Sequence, residues 1–328
     1  MAILAIDLGG TNIRFGIAPD ETAPIADIKV MACADFPTIE DAINAYLSSH
    51  QSHNIEAVSI AVAAPVMDDI IDITNNNWRF SKTALHQNLG VKRLLVINDF
   101  TAQALAQHQP NRHGNIVLKQ GRNHDQGQPD APLLVIGPGT GLGVAALKPT
   151  SQGMMPIEGE GGHVYFTPRN DRERQLEEYL RGEVGFVSAE HIISGSGLEA
   201  IYRFLCQHDN APYDGKSAAK IGDAALTSDG RERQAVFLLM DALATVMVNT
   251  IITLGCWQGA VIAGGIIPRF ISIIEESGFL NRFQDAGVLT PTFQDLPIWL
   301  ATDPYLGLEG ARDALTNPYL SAQVMHAP

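Results

Sequence analysis

The sequence predicts an α/β fold, because apolar strand segments alternate with helical segments along most of the chain. One pattern occurs twice: an apolar strand, a turn rich in glycine and threonine, and a returning strand. It begins at residue 2 and again at Leu133, which indicates an internal duplication. The chain has 328 residues, a length typical of two domains. We therefore expect two α/β domains, with helices layered on both faces of the sheet.

The first half combines strands, a glycine turn and helices. Residues 38–49 carry apolar side chains at helical spacing, with Thr38 as the expected N-cap and Asp41 completing a weak capping box. Strands are predicted at 2–6, 14–18, 25–30, 58–62 and 94–98, and further helices at 80–89 and 100–107.

A polar, turn-rich segment over residues 108–131 follows and predicts a domain boundary near residue 109. The second half then restarts the alternation of strands and helices. Its strands are predicted at 133–136, 144–147, 259–263 and 296–301, and its helices at 172–181, 196–208, 217–226, 231–254 and 307–316.

Charge and composition exclude several classes of protein. The chain has 22 basic and 36 acidic side chains, a net charge of −14, so we expect no nucleic-acid partner. Residues 1–7 contain no basic leader, so no signal peptide is expected. Cys33, Cys206 and Cys256 are too few and too far apart for a disulfide framework or a zinc cage, which indicates a reduced, cytoplasmic protein.

Residues 242–268 contain no charged side chain and are long enough for a membrane helix. Polar residues and four glycines interrupt this stretch, and neither an aromatic belt nor a basic cluster flanks it. A buried helix, a buried strand and a glycine turn explain the segment better. We therefore expect no membrane association.

Three glycine-rich turns follow predicted strands. In the first, residues 7–11 (DLGGT), glycines let the backbone approach a phosphate, and Asp7 could hold a magnesium ion directly or through water. The alternative is a plain hairpin turn in which Asp7 accepts hydrogen bonds from local amides. In the second turn, residues 137–143 (GPGTGLG), four glycines are costly in chain entropy, and the close approach of a ligand would explain them. The third is the pair Gly264 and Gly265.

None of these turns matches a common nucleotide-binding signature. Leu142 stands where the Rossmann spacing needs its last glycine, and Asn210 where a P-loop ending at Ser217 would begin. Three such turns in one chain are more specific than any one of them.

Further polar residues occur at strand ends and in loops: Asn98 and Asp99, Glu160 and His163, and Glu190. Carboxylates accept hydrogen bonds in pairs from vicinal hydroxyls, which is what a sugar presents. Each residue also has a structural alternative. Asn98 and Asp99 could be helix caps, and His163 could brace its loop.

The order of the three turns resembles that of the actin–hexokinase ATPase superfamily. From its first strand to its last helix, the chain is similar to bacterial glucokinases of the group without a zinc motif. The resemblance is carried by residues 7–11, 74–75 with Trp78 and Phe80, 97–102, 137–143, 159–164, 188–190 and 262–269. The departures, at His191, Ser196 and the long 119–131 loop, touch no proposed chemical role. The related repressor and kinase family with a zinc loop is excluded, because no cysteine lies near His163.

The resemblance implies a two-lobed actin/hexokinase-like fold, a duplicated ribonuclease H-like architecture with its active site in the interdomain cleft. The domains are expected at 1–109 plus 305–328 and at 110–304, with hinges that close the lobes and exclude water. A homodimer is also implied.

The implied activity is phosphoryl transfer from ATP, with Mg²⁺, to the 6-hydroxyl of glucose, with Asp99 as the catalytic base. The implied glucose contacts are Asn98, Asp99, Glu160, His163 and Glu190. The implied nucleotide contacts are Asp7 (through Mg²⁺), Gly9, Gly10, Thr11, Gly139, Thr140 and Gly141 at the phosphates, and Gly264 and Gly265 at the adenosine. Two alternatives remain open: a kinase for another hexose or amino sugar, and a non-catalytic sugar sensor on the same fold.

Overall fold

The computed structural model describes residues 2–50, 54–73, 76–108, 114–121 and 128–327. Residues 74 and 75, which form part of the resemblance, and the predicted boundary at residue 109 lie outside the described residues. The chain divides into two compact units. The first comprises Met1–Gln109, Ala145–Glu158 and Asp303–Pro328, and the second comprises Pro110–Val144 and Gly159–Thr302.

This division differs from the predicted domains chiefly in Ala145–Glu158, which belongs to the first unit, and by two residues at the last boundary, which lies at Asp303. Polar contacts within that unit explain the difference. Asn317 Nδ2 donates to the Met154 carbonyl at 2.8 Å, and the hydroxyls of Thr150 and Tyr319 are 2.6 Å apart. The segment is thus tied to the C-terminal residues of its own unit.

The helices and strands of the described residues have the following bounds. The strands are β1 (Ala2–Leu8), β2 (Asn12–Ala18), β3 (Ala26–Ala32), β4 (Ile55–Val62), β5 (Ile70–Asp72), β6 (Arg79–Ser81), β7 (Arg93–Asn98), β8 (Ile116–Lys119), β9 (Leu133–Pro138), β10 (Leu142–Thr150), β11 (Gly153–Ile157), β12 (Gly259–Ile262), β13 (Ile298–Leu300) and β14 (Met325–His326). The α-helices are α1 (Ile39–Ser48), α2 (Lys82–Leu89), α3 (Asp99–Ala106), α4 (Asp171–Val184), α5 (Gly195–His208), α6 (Ala218–Thr227), α7 (Arg231–Leu254), α8 (Phe279–Gln284), α9 (Thr290–Asp295) and α10 (Leu306–Ala314). Short 3₁₀ helices at Gly161–His163 and Ala189–His191 carry predicted site residues.

The two large sheets repeat one plan. Their strand orders are β3-β2-β1-β4-β7-β14 and β11-β10-β9-β12-β13-β8. In each sheet an antiparallel outer pair precedes three mutually parallel strands, and a short antiparallel strand forms the far edge. The predicted internal duplication is therefore confirmed.

Helices cover both faces of the first sheet. Leu4, Ile6 and Leu8 share one buried cluster with α1, where Tyr46 stacks on Phe15 at 4.7 Å between ring centroids. Because side chains alternate along a strand, Asp7 points to the opposite face, which α10 covers together with α3. The predicted layering on both faces is thus confirmed for this sheet.

The uncharged stretch over residues 242–268 forms the end of α7, the strand β12 and a glycine turn, as predicted. Helix α7 is long and apolar enough to cross a membrane by length and composition alone. However, 67% of its most apolar window is buried inside the protein, which is what a core helix requires. Gly255 ends the helix in a left-handed conformation, with φ of 67°.

One predicted helix begins later than expected. The sequence predicts a helix from residue 80, but Phe80 lies in β6, where it pairs with Ile71 of β5. Helix α2 starts at Lys82, because the Ser81 hydroxyl accepts a hydrogen bond from the Ala84 amide at 3.0 Å and caps the helix. Strands of three residues, such as β5 and β6, are too short to leave a periodic pattern in the sequence.

Candidate active site

Asp7 lies at the end of β1, opposite Arg14, its register partner on β2. Arg14 Nη1 donates to Asp7 Oδ2 at 3.1 Å, and Asp7 is only 8% exposed. Burial raises the pKa of the Asp7 carboxyl group above its usual range, and the Arg14 guanidinium opposes this rise. The partner of Asp7 is thus a guanidinium rather than the local amides of a plain hairpin turn.

Gly307, in the first turn of α10, lies against the same carboxyl group. A Cβ atom built on Gly307 would be 3.0 Å from Asp7 Cγ and 3.3 Å from Gln103 Nε2. The carboxyl group of Asp7 thus lies between Arg14 of β2 and the first turn of α10.

Asp7 could supply one protein ligand to a magnesium ion that is also bound by phosphates. Magnesium bound to phosphates needs one or two protein carboxylates. Among the residues that the structure describes, no three His, Cys, Asp or Glu side chains converge on a metal-binding point. A single carboxylate such as Asp7 would suit a magnesium ion that phosphates also bind.

The first glycine turn is fixed by backbone hydrogen bonds. The Gly9 amide donates to the Asn12 carbonyl at 3.0 Å, and the Cys33 amide donates to the Thr11 carbonyl at 2.9 Å. Thr11 itself is exposed, while Gly9 and Gly10 are half-buried. The turn therefore has a rigid inner side and an accessible outer side.

The second and third glycine turns touch each other, which the sequence did not reveal. A Cβ atom on Gly137 would lie 2.3 Å from the Ala263 carbonyl oxygen. Gly264 has φ of +81°, and a Cβ atom there would lie 2.6 Å from the Pro138 oxygen. Both positions need glycine because two backbones meet there. Gly265 and Thr140 are exposed beside this contact.

Asn98 and Asp99 join β7 to α3, and both are half-buried. Asn98 Oδ1 accepts from the amides of Phe100 at 2.8 Å and Thr101 at 3.3 Å, so the capping alternative is correct for Asn98. Asn98 Nδ2 donates to the Ala64 carbonyl at 3.3 Å. Asp99 Oδ1 accepts from the Phe100 amide at 2.9 Å, which orients its carboxylate.

Glu160 precedes the 3₁₀ helix Gly161–His163 and His163 is its last residue, and both side chains are exposed. Glu160 Oε2 and His163 Nε2 are 3.9 Å apart, and the side chains are 53% and 61% exposed. An imidazole this exposed does little to brace the loop. The loop is instead held by Gly162, where a Cβ atom would lie 2.1 Å from the Leu142 carbonyl oxygen.

Glu190 lies in the 3₁₀ helix Ala189–His191 and reaches the same strand. Its Oε2 accepts from the Leu142 amide at 2.8 Å. His191, a departure from the family pattern, has a local role, since its Nδ1 accepts from the Ser188 amide at 3.0 Å. Within the second unit, the structure thus brings together Glu190, the second glycine turn and the loop that carries Glu160 and His163.

The predicted site residues are divided between the two units. Asp7, Gly9, Gly10, Thr11, Asn98 and Asp99 belong to the first unit. Gly139, Thr140, Gly141, Glu160, His163, Glu190, Gly264 and Gly265 belong to the second.

A family model described as Glucokinase matches residues 4–318 of the chain. The chain belongs to the glucokinase family. A glucokinase of Chromobacterium violaceum is 39% identical over 314 residues, which are 95% of this chain and 88% of that protein. These findings confirm the resemblance on which the site prediction depends.

Solved structures agree with the glucokinase assignment. A glucokinase from an Antarctic psychrotroph superposes with a TM-score of 0.83 at 30% identity, covering 96% of this chain and 99% of that one. A ROK family glucokinase from Streptomyces griseus, in complex with glucose and AMPPNP, superposes with a TM-score of 0.64 at 20% identity. It covers 95% of this chain and 98% of that one, and it shares the fold. The predicted actin/hexokinase-like fold is confirmed.

Sequence reasoning missed several residues that contact or adjoin the predicted site residues. Thr101 is 1% exposed, and its hydroxyl donates to Glu158 Oε1 at 2.9 Å. The two residues are 57 positions apart, so no local pattern connects them. Arg14 could have been found, because it alternates with buried residues on the strand after Asp7 and is the nearest cation in sequence.

Proposed function

We propose that the protein is an ATP-dependent glucokinase that transfers the γ-phosphate of ATP to the 6-hydroxyl of glucose, with Asp99 as the base. Membership of the glucokinase family supports glucose as acceptor and ATP as donor. One observation carries the choice of base. Asp99 is the first residue of α3, directly after the cap, and its carboxylate is oriented by the Phe100 amide.

Asp99 accepts the proton of the 6-hydroxyl during the transfer. The hydroxyl oxygen forms the new bond to the γ-phosphorus, the bond to the bridging oxygen breaks, and ADP leaves with that electron pair. Because the transition state is loose, the protein contributes mainly alignment and charge stabilisation. A positioned base of this kind contributes roughly 10²–10⁴-fold in rate.

The sugar is held by donors and acceptors of complementary kind. Glu160 and Glu190 accept hydrogen bonds from hydroxyls, while the His163 imidazole and the Asn98 amide can donate. The Asn98 amide nitrogen carries two hydrogens, of which one serves the Ala64 carbonyl. Capping and sugar binding by Asn98 are therefore compatible.

The nucleotide is held mainly by backbone. Residues 9–11 and 139–141 would bind the phosphates through amides, and Gly264 and Gly265 would lie beside the adenosine. Asp7 would hold the magnesium ion that accompanies ATP, whose charge offsets that of the phosphates.

We also propose that the enzyme acts in glycolysis as a cytoplasmic homodimer. Cys33, Cys206 and Cys256 are buried free thiols, which suits a reducing compartment. The homodimer rests on the family resemblance.

A coupled ADP-release assay across six sugars tests this function: glucose, galactose, mannose, fructose, N-acetylglucosamine and N-acetylmannosamine. We expect glucose to have the highest kcat/KM, and activity to vanish with EDTA until Mg²⁺ is restored. Equal turnover of another sugar would overturn the glucokinase assignment and favour the broader hexose kinase. Glucose binding without turnover of any sugar would instead indicate a sensor.

A further inference from the structure

The side chain of Glu190 occupies the space beside the second glycine turn. A Cβ atom built on Gly141 would lie 2.3 Å from Glu190 Oε2, 3.0 Å from its Cδ and 3.6 Å from its Oε1. These three atoms are the nearest neighbours of that position, so a side chain there would have to displace the Glu190 carboxylate. The φ of Gly141 lies outside the left-handed region, so the backbone itself does not require glycine.

The same carboxylate also fixes the end of the turn, because Oε2 accepts the Leu142 amide at 2.8 Å. A second bond holds the start of the turn, from the Gly195 amide to the Gly139 carbonyl at 2.9 Å. Between these two points, the Gly139 amide donates to the Gly141 carbonyl at 2.8 Å. The turn is thus held at both ends by residues 190–195.

The backbone of Glu190 is itself anchored. The Ser194 hydroxyl donates to the Glu190 carbonyl at 2.7 Å and also caps α5 by accepting from the Gly197 amide at 3.0 Å. The backbone of Glu190 is therefore fixed while its side chain binds the turn. A hydrogen bond to a carboxylate is stronger than one between neutral groups.

We propose that Glu190 is a positioning residue of the nucleotide site: it holds residues 139–142 in the conformation that binds phosphate, in addition to contacting the sugar. This inference rests on the proposed function, in which residues 139–141 bind the phosphates of ATP. One carboxylate would then serve both substrates, with one oxygen on the turn and the other within reach of a sugar hydroxyl.

The positioning role of Glu190 can be distinguished from its contact with the sugar by measuring nucleotide affinity in the absence of sugar. Calorimetric titration of AMPPNP with Mg²⁺, in the absence of glucose, compares the wild type with Glu190→Ala, Glu190→Gln and Glu160→Ala. We expect Glu190→Ala to weaken AMPPNP binding about tenfold. Glu190→Gln keeps an oxygen that can accept the Leu142 amide, so its AMPPNP affinity should stay within threefold.

Glu160→Ala is the matched control, since it removes another proposed sugar ligand without touching the turn. It should weaken glucose binding while changing AMPPNP affinity less than twofold. Unchanged or tighter AMPPNP binding by Glu190→Ala would overturn the positioning role. Glucose phosphorylation by the wild type would still support the proposed function in that case.

A double-mutant cycle with Gly141→Ala tests the contact itself. In the wild type, the new methyl group must displace the Glu190 carboxylate, so AMPPNP affinity should fall about tenfold. In the Glu190→Ala background the three nearest atoms are gone, and Gly141→Ala should cost less than twofold. Strictly additive effects would overturn the inference. A wild type that binds AMPPNP but phosphorylates no sugar would overturn the proposed function alone.

Discussion

The Thr101 hydroxyl donates a 2.9 Å hydrogen bond to Glu158 Oε1, which ties the first turn of α3 to the residue that follows β11. Thr101 is 1% exposed and its amide also donates to the Asn98 side chain. The helix that begins with Asp99 is therefore fixed to β11 within the first unit.

We expect Thr101→Val to lower the free energy of unfolding by about 1–2 kcal/mol, because the isosteric change removes a buried donor and keeps the shape. Urea denaturation measures this loss. Glu158→Gln keeps an acceptor for Thr101 and serves as the control, with a change below about 0.5 kcal/mol. Equal stability of Thr101→Val and wild type would show that the bond is not formed in solution.

Asp99→Asn should keep glucose affinity within about tenfold, while kcat falls by roughly 10²–10⁴, because the amide cannot accept the hydroxyl proton. Steady-state kinetics and glucose calorimetry together separate these effects. The exposed Asp68→Asn is a control of the same chemistry and should leave kcat unchanged. A kcat within threefold of wild type would remove Asp99 from the role of base.

Gly310→Ala should destabilise the protein by about 3 kcal/mol, the upper end for overpacking. A Cβ atom there would lie 1.8 Å from the Ala102 carbonyl oxygen, where α10 packs on α3. Gly182→Ala is the control, because it makes the same change at a helical glycine that has free space beside it. Gly182 lies in α4, where a built Cβ atom would have no neighbour within 4 Å beyond the adjoining residues and the backbone of its own helix, and alanine should stabilise the protein by about 0.5–1 kcal/mol. Similar melting temperatures for the two variants would contradict the packing described.

The buried carboxyl group of Asp241 should make the stability of the protein depend on pH. Burial raises its pKa to about 6, with Arg282 opposing and Glu173 adding to the rise. Because the folded state holds this proton more tightly than the unfolded chain, the contribution of Asp241 to stability falls as pH rises from about 4 to 6 and is lowest above 6. The shift corresponds to about 3 kcal/mol.

Asp241→Asn removes the buried charge, so at pH 8 its free energy of unfolding should be about 1–3 kcal/mol higher than that of the wild type. The gain should shrink as the pH falls below 6. Glu173→Gln should instead destabilise at pH 8, since Arg282 Nη1 lies 2.5 Å from Glu173 Oε1. A gain for Asp241→Asn that does not change with pH would rule out titration of Asp241 as its cause.

Glucose should exceed galactose, its 4-epimer, by at least about 10² in kcat/KM, equivalent to about 2.7 kcal/mol. The reason is that inverting one hydroxyl leaves one or two polar groups of the site unpaired. Mannose and N-acetylglucosamine differ at C2, where Glu160 and His163 are expected to crowd the sugar, and should be poor as well. Comparable kcat/KM for galactose and glucose would contradict this arrangement of ligands.

The sequence predicts well wherever a local pattern determines structure. Periodicity and a capping residue place α1, where Thr38 Oγ1 accepts the Asp41 amide at 3.2 Å. Gly255 marks the end of the long α7. Glycine density likewise identifies the turns that follow β1 and β9. These features depend on neighbours in sequence, which is the information that a single chain provides.

The remaining features depend on residues distant in sequence. Glu190 meets Leu142 across 48 positions, and the reason for glycine at position 137 is a carbonyl at position 263. The short strands β5, β6, β8 and β11 are stabilised by their partners rather than by their own pattern. The placement of Glu158 beside Thr101 follows from the route of the chain through β10 and β11, which periodicity does not encode.

The route of the chain also constrains how the protein can be made. Ala145–Glu158 and Asp303–Pro328 complete the first unit, yet they are synthesised during and after the second. Helix α10, which packs on β1 and α3, is synthesised after the whole of the second unit. The sheet of the first unit must therefore wait, partly uncovered, until the second unit and α10 have been translated. Neither unit can be excised as one continuous fragment, and a nascent chain halted before residue 303 would leave Asp7 without the helix that covers it.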